Sequence, residues 1–156
     1  MQELEKGRKR GCKDADLLNE FVQIGLTEIV VLNESELNVF EQLVIGPAGA
    51  TLDDGESATV AYAVKNKAIA IIDERKAHRI CKERFPSLKV GCTMDIFTHP
   101  DVQKSLGKER LSTAVTNALR TARMRVLPDH MNLVTDLIGK KNVGLCQSLP
   151  RAIRSL

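Results

Sequence analysis

Acidic residues stand at the two ends of one stretch of this sequence, and none stands between them. Asp53, Asp54 and Glu56 precede a segment rich in alanine and valine, and Asp73 and Glu74 follow an aliphatic one. Two carboxylates in close contact repel each other, so such a pair persists when Mg²⁺ or Mn²⁺ bridges it or when one carboxyl group is protonated. An ion held by carboxylate oxygens can activate water and assist hydrolysis of a phosphodiester.

The residues between these acids predict one helix followed by one strand. Acids at the start of a helix cap it and suit its positive end, which by itself explains Asp53 and Asp54. Residues 56–65 would span about nine steps of helix, roughly 14 Å, and residues 68–73 about five steps of strand, roughly 16 Å. With a tight turn between them, Glu56 and Asp73 return to the carboxyl edge of the sheet, where open α/β sheets bind ligands. We expect their carboxylates to lie within about 8 Å of each other, close enough to share one ion.

Further helices and strands alternate along the chain. Helical spacing predicts helices at residues 14–24, 35–45 and 74–85 and a helix that begins at residue 93, and aliphatic runs predict strands at 27–32 and 88–92. The wholly apolar run before Asp73 is typical of a strand buried on both faces of a parallel sheet. Lys108 to Ile138 is predicted to be mostly helical, with Pro128 at a first helical position. The predicted class is α/β with a largely parallel sheet.

Composition excludes several classes of protein. The chain has 156 residues, of which 43% are hydrophobic and 28% charged, values typical of one globular domain. Its longest aliphatic runs are far shorter than the ~20 residues of a membrane span, and its polar N-terminus lacks the apolar core of a signal peptide, so we expect a cytoplasmic protein. The four cysteines form no Cys-x-x-Cys pair, which predicts reduced, structural thiols.

Charge is distributed unevenly along the chain. The formal net charge is +3, yet residues 14–59 contain ten acids and no Lys or Arg, so the remainder is strongly basic. Such asymmetry indicates a nucleic-acid surface or an acidic partner, and ordinary solvated faces are the alternative. Aromatic residues make up only 3% of the chain, which argues against recognition of RNA by base stacking. Phosphate contacts from Arg75, Lys76 and Arg79, which follow Asp73 directly, are the expected mode of RNA binding.

The centre of the chain resembles PIN-like domains, specifically a prokaryotic subgroup with a Gly-Glu helix start and an Asp-Glu-Arg strand end. The matching features are Gly55-Glu56, Asp73-Glu74-Arg75, Arg75-Lys76-Ala77, and Gly91 with Thr93, the last pair separated by Cys92. The resemblance covers roughly residues 1–126 and is most specific at its centre. It implies a three-layer α/β/α fold with a largely parallel central sheet.

The resemblance also implies a function. PIN-like domains are typically Mg²⁺- or Mn²⁺-dependent ribonucleases, many of them toxins of toxin–antitoxin pairs, with four acids around the metal. The third acid maps onto Glu56, the fourth onto Asp73, and "ELEKG" offers Glu3 as the second. The first acid has no counterpart, because the chain begins at Met1, whereas that acid ends an opening strand well upstream of the second. Either the start is miscalled or truncated, or the protein lacks the opening strand and its Asp. In both cases we expect an incomplete, N-terminally truncated PIN-like fold that binds Mn²⁺ weakly and cleaves RNA feebly or not at all.

Other residues and functions complete the expectations. Asp95, two residues past Thr93, is expected to lie at the same sheet edge as an auxiliary metal ligand, and an ordinary helix N-terminal acid is the alternative. His78 and Cys81 have metal-compatible spacing but form too small a set, and His99 and His130 have no discernible partners. Residues 1–138 are expected to form the PIN-like domain and residues 139–156 a basic tail.

Several partners and alternative functions follow from the same residues. The expected partners are RNA, an antitoxin-like protein and a second copy of the chain, because a missing central strand leaves a sheet edge unpaired; no membrane is expected. The alternative functions are a non-catalytic PIN-like module that binds protein or RNA, and an unrelated α/β domain that binds a small ligand.

Overall fold

The computed structural model describes residues 14–155, in which helices predominate and one sheet has two parallel strands. The elements are α1 (Asp14–Gln23), α2 (Glu34–Val44), α3 (Asp54–Asn66), β1 (Ile69–Ile71), α4 (Arg75–Arg84), β2 (Lys89–Gly91), α5 (Thr93–Phe97), α6 (Pro100–Arg120), a 3₁₀ helix (Pro128–His130), α7 (Met131–Ile138), α8 (Lys140–Val143) and α9 (Arg151–Arg154). The predicted mixture of helices with a parallel sheet is confirmed. None of the helices in this part of the chain is both long and apolar enough to cross a bilayer.

The chain divides into two compact units, residues 1–33 and 34–156. In the described part of the first unit, α1 is followed by residues 24–33, which contain no strand. The predicted strand at 27–32 is therefore wrong. Ile29, Val30 and Val31 are exposed, and an aliphatic run becomes a strand only where another strand supplies hydrogen bonds and packing.

In the second unit, α2 packs against α3, which leads directly into the sheet. Val39 and Leu43 of α2 and Val60 and Ala61 of α3 are buried. The N-cap of α3 is Asp53, one of the two aspartates that the sequence offers, and the helix ends at Lys67, whose backbone is left-handed with φ 53°. That tight end turns the chain back into β1.

Strands β1 and β2 are parallel, with Ala70 opposite Val90 and Ile71 opposite Gly91. The expectation that β1 is buried on both faces is wrong, because Ala70 is fully buried whereas Ile69 is 60% exposed. Side chains alternate between the two faces of a strand, so Ile69 and Ile71 share the face that the described elements leave open.

A second core lies in the C-terminal half of the same unit. Its buried members are Cys92, Met94, Val115, Leu119, Met124, Val134, Ile138, Val143, Cys146 and Leu149. Val143, Cys146 and Leu149 lie in the segment predicted to be a basic tail. They are three residues apart, so one apolar side of that segment faces the core. Met124 anchors the loop after α6, since its N–H donates to the carbonyl of Ala118 (3.0 Å).

Candidate functional site

Three carboxylates line one open depression at the carboxyl end of β1. Its volume is about 400 Å³, and its lining consists of Gly55, Glu56, Thr59, Ile71, Ile72, Asp73, Glu74 and Arg125. The first turn of α3 supplies Glu56, and the residues directly after β1 supply Asp73 and Glu74. The structure thus brings Glu56 and Asp73 to the same site.

Glu56 is both a capping residue and a carboxylate of the depression. Its N–H donates to Asp53 Oδ1 (2.8 Å), and its own Oε2 accepts from the Asp53 N–H (3.4 Å), which completes a capping box. Partial burial raises the pKa of the Glu56 carboxyl group, and the nearby negative charges of Asp53 and Glu74 raise it further. A cation bound beside Glu56 would relieve this unfavourable charge.

Asp73 is held rigidly by one neighbour. Its Oδ1 accepts from the Thr93 N–H and its Oδ2 from the Thr93 hydroxyl, both at 2.7 Å. Thr93 is the first residue of α5, so Asp73 satisfies a helix N-terminal N–H that has no partner within the helix. Each carboxylate oxygen accepts more than one bond, which leaves Asp73 able to ligate a cation as well.

Arg125 introduces a positive charge that sequence reasoning missed. Its guanidinium forms an ion pair with the Glu74 carboxylate at the edge of the depression. The two residues are 51 positions apart, and the only sequence signal for Arg125 is its place in the strongly basic part of the chain outside residues 14–59. Guanidinium groups bind phosphate as readily as carboxylate, so Arg125 is suited to an anionic substrate.

Asp95 belongs to a neighbouring cluster with Cys92 and His130. Asp95 Oδ2 accepts from the Cys92 N–H (2.7 Å), and Asp95 Oδ1 lies 3.2 Å from His130 Nε2. The Cys92 N–H bond lowers the pKa of Asp95 most, with smaller contributions from His130 and His78. The expectation that His130 has no partner is wrong, because the 3₁₀ helix carries it to a residue 35 positions earlier.

This cluster adjoins the depression without lining it in the described structure. Gly91 lies between them, since a Cβ there would come within 3.2 Å of both Asp95 Oδ2 and Ile71 Cδ1. Ile71 lines the depression, whereas Asp95 is not among its lining residues. Gly91 therefore allows Asp95 to pack close to the end of β1.

The predicted RNA-binding residues of α4 have different surroundings. Arg75 is exposed. Lys76 Nζ lies 3.5 Å from the Ala48 carbonyl oxygen, and Arg79 donates to the Gly49 carbonyl (2.7 Å). Arg79 also forms an exposed ion pair with a glutamate one turn later on α4, at 3.1 Å. Lys76 and Arg79 thus hold the turn that precedes α3, and Arg75 remains accessible to a phosphate.

His78 and Cys81 contribute to packing beneath the site. His78 Nε2 lies 2.7 Å from the Ile72 carbonyl oxygen, so the ring bridges the start of α4 and the end of β1. The Cys81 thiol is fully buried, and its pKa is raised by burial and then by the charge of Glu56. Glu3, the remaining predicted site residue, lies outside the described residues.

Comparisons of this chain with protein-family models, with curated proteins and with solved structures found no match. The resemblance to PIN-like domains therefore stays a prediction that rests on the residues quoted above. Any function has to be argued from the chemistry of the depression itself.

Proposed function

We propose that the chain is a PIN-like domain that binds Mg²⁺ or Mn²⁺ in the depression and acts on RNA. The observation that carries this proposal is the convergence of Glu56, Asp73 and Glu74 on one site. The donors are all carboxylate oxygens, which are the ligands that hard divalent cations take in proteins. The raised pKa of Glu56 adds support, because burial first, and then the negative charges of Asp53 and Glu74, disfavour its ionised form, which a bound cation would stabilise.

The fold in this proposal is the three-layer α/β/α arrangement of PIN-like domains. Its support is the parallel pair β1 and β2, which are joined through α4 as in a βαβ unit. Within residues 14–155, β1 has a strand partner on one side only. A free edge of this kind favours pairing with a further strand, which supports a homodimer as part of the proposal.

Each residue of the depression would have a distinct role. Glu56 and Asp73 would hold the cation, which when bound supplies an activated water and stabilises the leaving oxygen. Thr93 fixes the orientation of Asp73 through its two hydrogen bonds. Arg125 would exchange the Glu74 carboxylate for a phosphate of the RNA, since both anions fit its planar donors.

The experiment measures Mn²⁺ binding and RNA cleavage in the same preparations. Mn²⁺ is titrated by electron paramagnetic resonance, and cleavage is followed on a short fluorescent single-stranded RNA. Glu56→Gln and Asp73→Asn should each weaken Mn²⁺ binding at least about tenfold, or ~1.4 kcal/mol, and remove any cleavage. Glu109→Gln and Asp136→Asn, which change exposed acids elsewhere, should alter neither.

Two results would overturn this proposal. One is Mn²⁺ binding that is unchanged in Glu56→Gln and Asp73→Asn. The other is cleavage that continues without a divalent cation in Asp73→Asn.

A non-catalytic PIN-like module is the second candidate, and specific contacts favour it. Asp73 already accepts two bonds from Thr93, and Glu74 is already paired with Arg125. The exposed side chains of Ile69 and Ile71 suit a protein partner, of which an antitoxin-like protein is one kind. RNA binding or co-purification with such a protein, without Mn²⁺ binding, would identify the module.

A further inference from the structure

We infer that Cys92, Asp95 and His130 form a second metal site, which takes a borderline transition metal such as Zn²⁺. One ligand atom from each residue lies within 4.8 Å of the other two, and Asp95 Oδ1 is 3.2 Å from His130 Nε2. Bonds of 2.0–2.3 Å in a tetrahedral zinc site place ligand atoms about 3.3–3.8 Å apart. The site therefore needs side-chain shifts of only about 1 Å to close around an ion.

The donor set distinguishes this site from the carboxylate depression. Sulfur and imidazole ligands select zinc-like ions, whereas Mg²⁺ and Mn²⁺ favour carboxylates and water. Three protein ligands leave one tetrahedral position for water or another molecule, which is the pattern of zinc sites that are open to chemistry. This inference is independent of the proposed nuclease function, because it uses none of Glu56, Asp73 and Glu74.

The backbone positions the three ligands before any metal binds. Cys92 is the N-cap of α5 and Asp95 is three residues later, and the Asp95 carboxylate accepts from the Cys92 N–H (2.7 Å). His130 ends the 3₁₀ helix that begins at Pro128, and its N–H donates to the Leu127 carbonyl (3.0 Å). Fixed ligands lower the entropy lost on binding, which favours affinity.

The site formed by Cys92, Asp95 and His130 has one side shielded from solvent and one side through which an ion can enter. Cys92 is only 1% exposed, whereas the side chains of Asp95 and His130 are 49% and 23% exposed. An ion would reach the thiol from the Asp95 side. The missing side chain at Gly91 leaves room for the Asp95 carboxylate, because a Cβ there would lie 3.2 Å from Asp95 Oδ2.

Helix capping together with a His–Asp ion pair would explain the same contacts without a metal, and cobalt separates the two explanations. Co²⁺ is titrated into the 156-residue chain, and the thiolate-to-cobalt charge-transfer band is measured with the visible bands of tetrahedral Co²⁺. We expect one equivalent to bind with both signals and to be displaced by Zn²⁺. Absence of the thiolate band would overturn the inference.

Variants then assign the ligands. Cys92→Ser should abolish the thiolate band while Ser, a preferred N-cap residue, keeps the start of α5 intact. His130→Gln should weaken Co²⁺ binding at least about tenfold, or ~1.4 kcal/mol, with unchanged circular dichroism. The matched controls Cys12→Ser and His99→Gln should behave like the unaltered protein. A thiolate band that persists in Cys92→Ser, or full affinity in His130→Gln, would overturn the assignment.

Crossed measurements distinguish failure of this inference from failure of the proposed function. Glu56→Gln should leave the cobalt spectrum unchanged, and His130→Gln should leave Mn²⁺ binding unchanged. Loss of the cobalt signals in Glu56→Gln would show that the two clusters form one site and would overturn the second site.

Discussion

Replacement of Asp73 tests whether its carboxylate holds the start of α5 as well as a cation. Asp73→Ala removes the acceptors of two 2.7 Å hydrogen bonds from Thr93. A bond to a charged group contributes about 1.5–3 kcal/mol, but the Thr93 hydroxyl is only part-buried and can turn to water. We therefore expect the free energy of unfolding to fall by about 2–4 kcal/mol, less than two full bonds would give.

Asp73→Asn and Thr93→Val separate this structural effect from ligation. The amide of Asn can still accept from the Thr93 N–H and donate to its hydroxyl, so the loss should be about 1 kcal/mol. Thr93→Val removes one bond and leaves the Asp73 carboxylate in place. Mn²⁺ binding should therefore persist in Thr93→Val and weaken at least about tenfold in Asp73→Asn, although both variants fold.

The assay is urea unfolding followed by circular dichroism, with Mn²⁺ titration of each variant at the same pH. A double-mutant cycle of Asp73→Ala and Thr93→Val should give a coupling energy of about 1–2 kcal/mol. A loss below about 0.5 kcal/mol in Asp73→Ala, which is typical of an uninvolved surface position, would refute the capping argument. Mn²⁺ binding by Asp73→Asn at full strength would refute ligation.

Three further predictions concern the site and the backbone of the chain. Burial raises the pKa of Glu56 above 4.5, so ionisation of its carboxyl group destabilises the fold as pH rises. Glu56→Gln should therefore raise the free energy of unfolding at pH 7, and this gain should vanish below pH 4.5. A pH-independent difference in urea unfolding would contradict this. Gly91→Ala should lower stability by no more than about 1 kcal/mol, because its Cβ would lie 3.2 Å from the side-chain ends of Asp95 and Ile71, which can each shift by a few tenths of an ångström. A loss above about 2 kcal/mol in urea unfolding would contradict this. Gly107 interrupts α6 with φ 69° and ψ 167°, so Gly107→Ala should lower the free energy of unfolding in urea by about 1–3 kcal/mol. In the control Gly49→Ala, the new Cβ meets open space at an ordinary φ, and the free energy of unfolding should change little. Equal effects of the two substitutions would refute backbone strain at Gly107.

The sequence by itself determined the features that depend on near neighbours. A cap at Asp53 or Asp54, the helix after it, the strand ending before Asp73 and the first helical position of Pro128 were all predicted, because capping residues and hydrophobic periods act within a few residues. The return of Glu56 toward Asp73 followed from element lengths alone. The PIN-like assignment stays a prediction because no comparison with known proteins matches the chain, and the role of Glu3 stays one because Glu3 lies outside the described residues.

Only the tertiary structure decided the contacts between distant residues. Arg125 meets Glu74, and His130 meets Asp95, because the core around Met124 holds the C-terminal loop and 3₁₀ helix in place. Such pairs leave no periodic signal in a sequence. The same reason explains the open face of β1: a run of aliphatic residues records a tendency to be buried, but whether a strand is covered depends on which other elements pack against it.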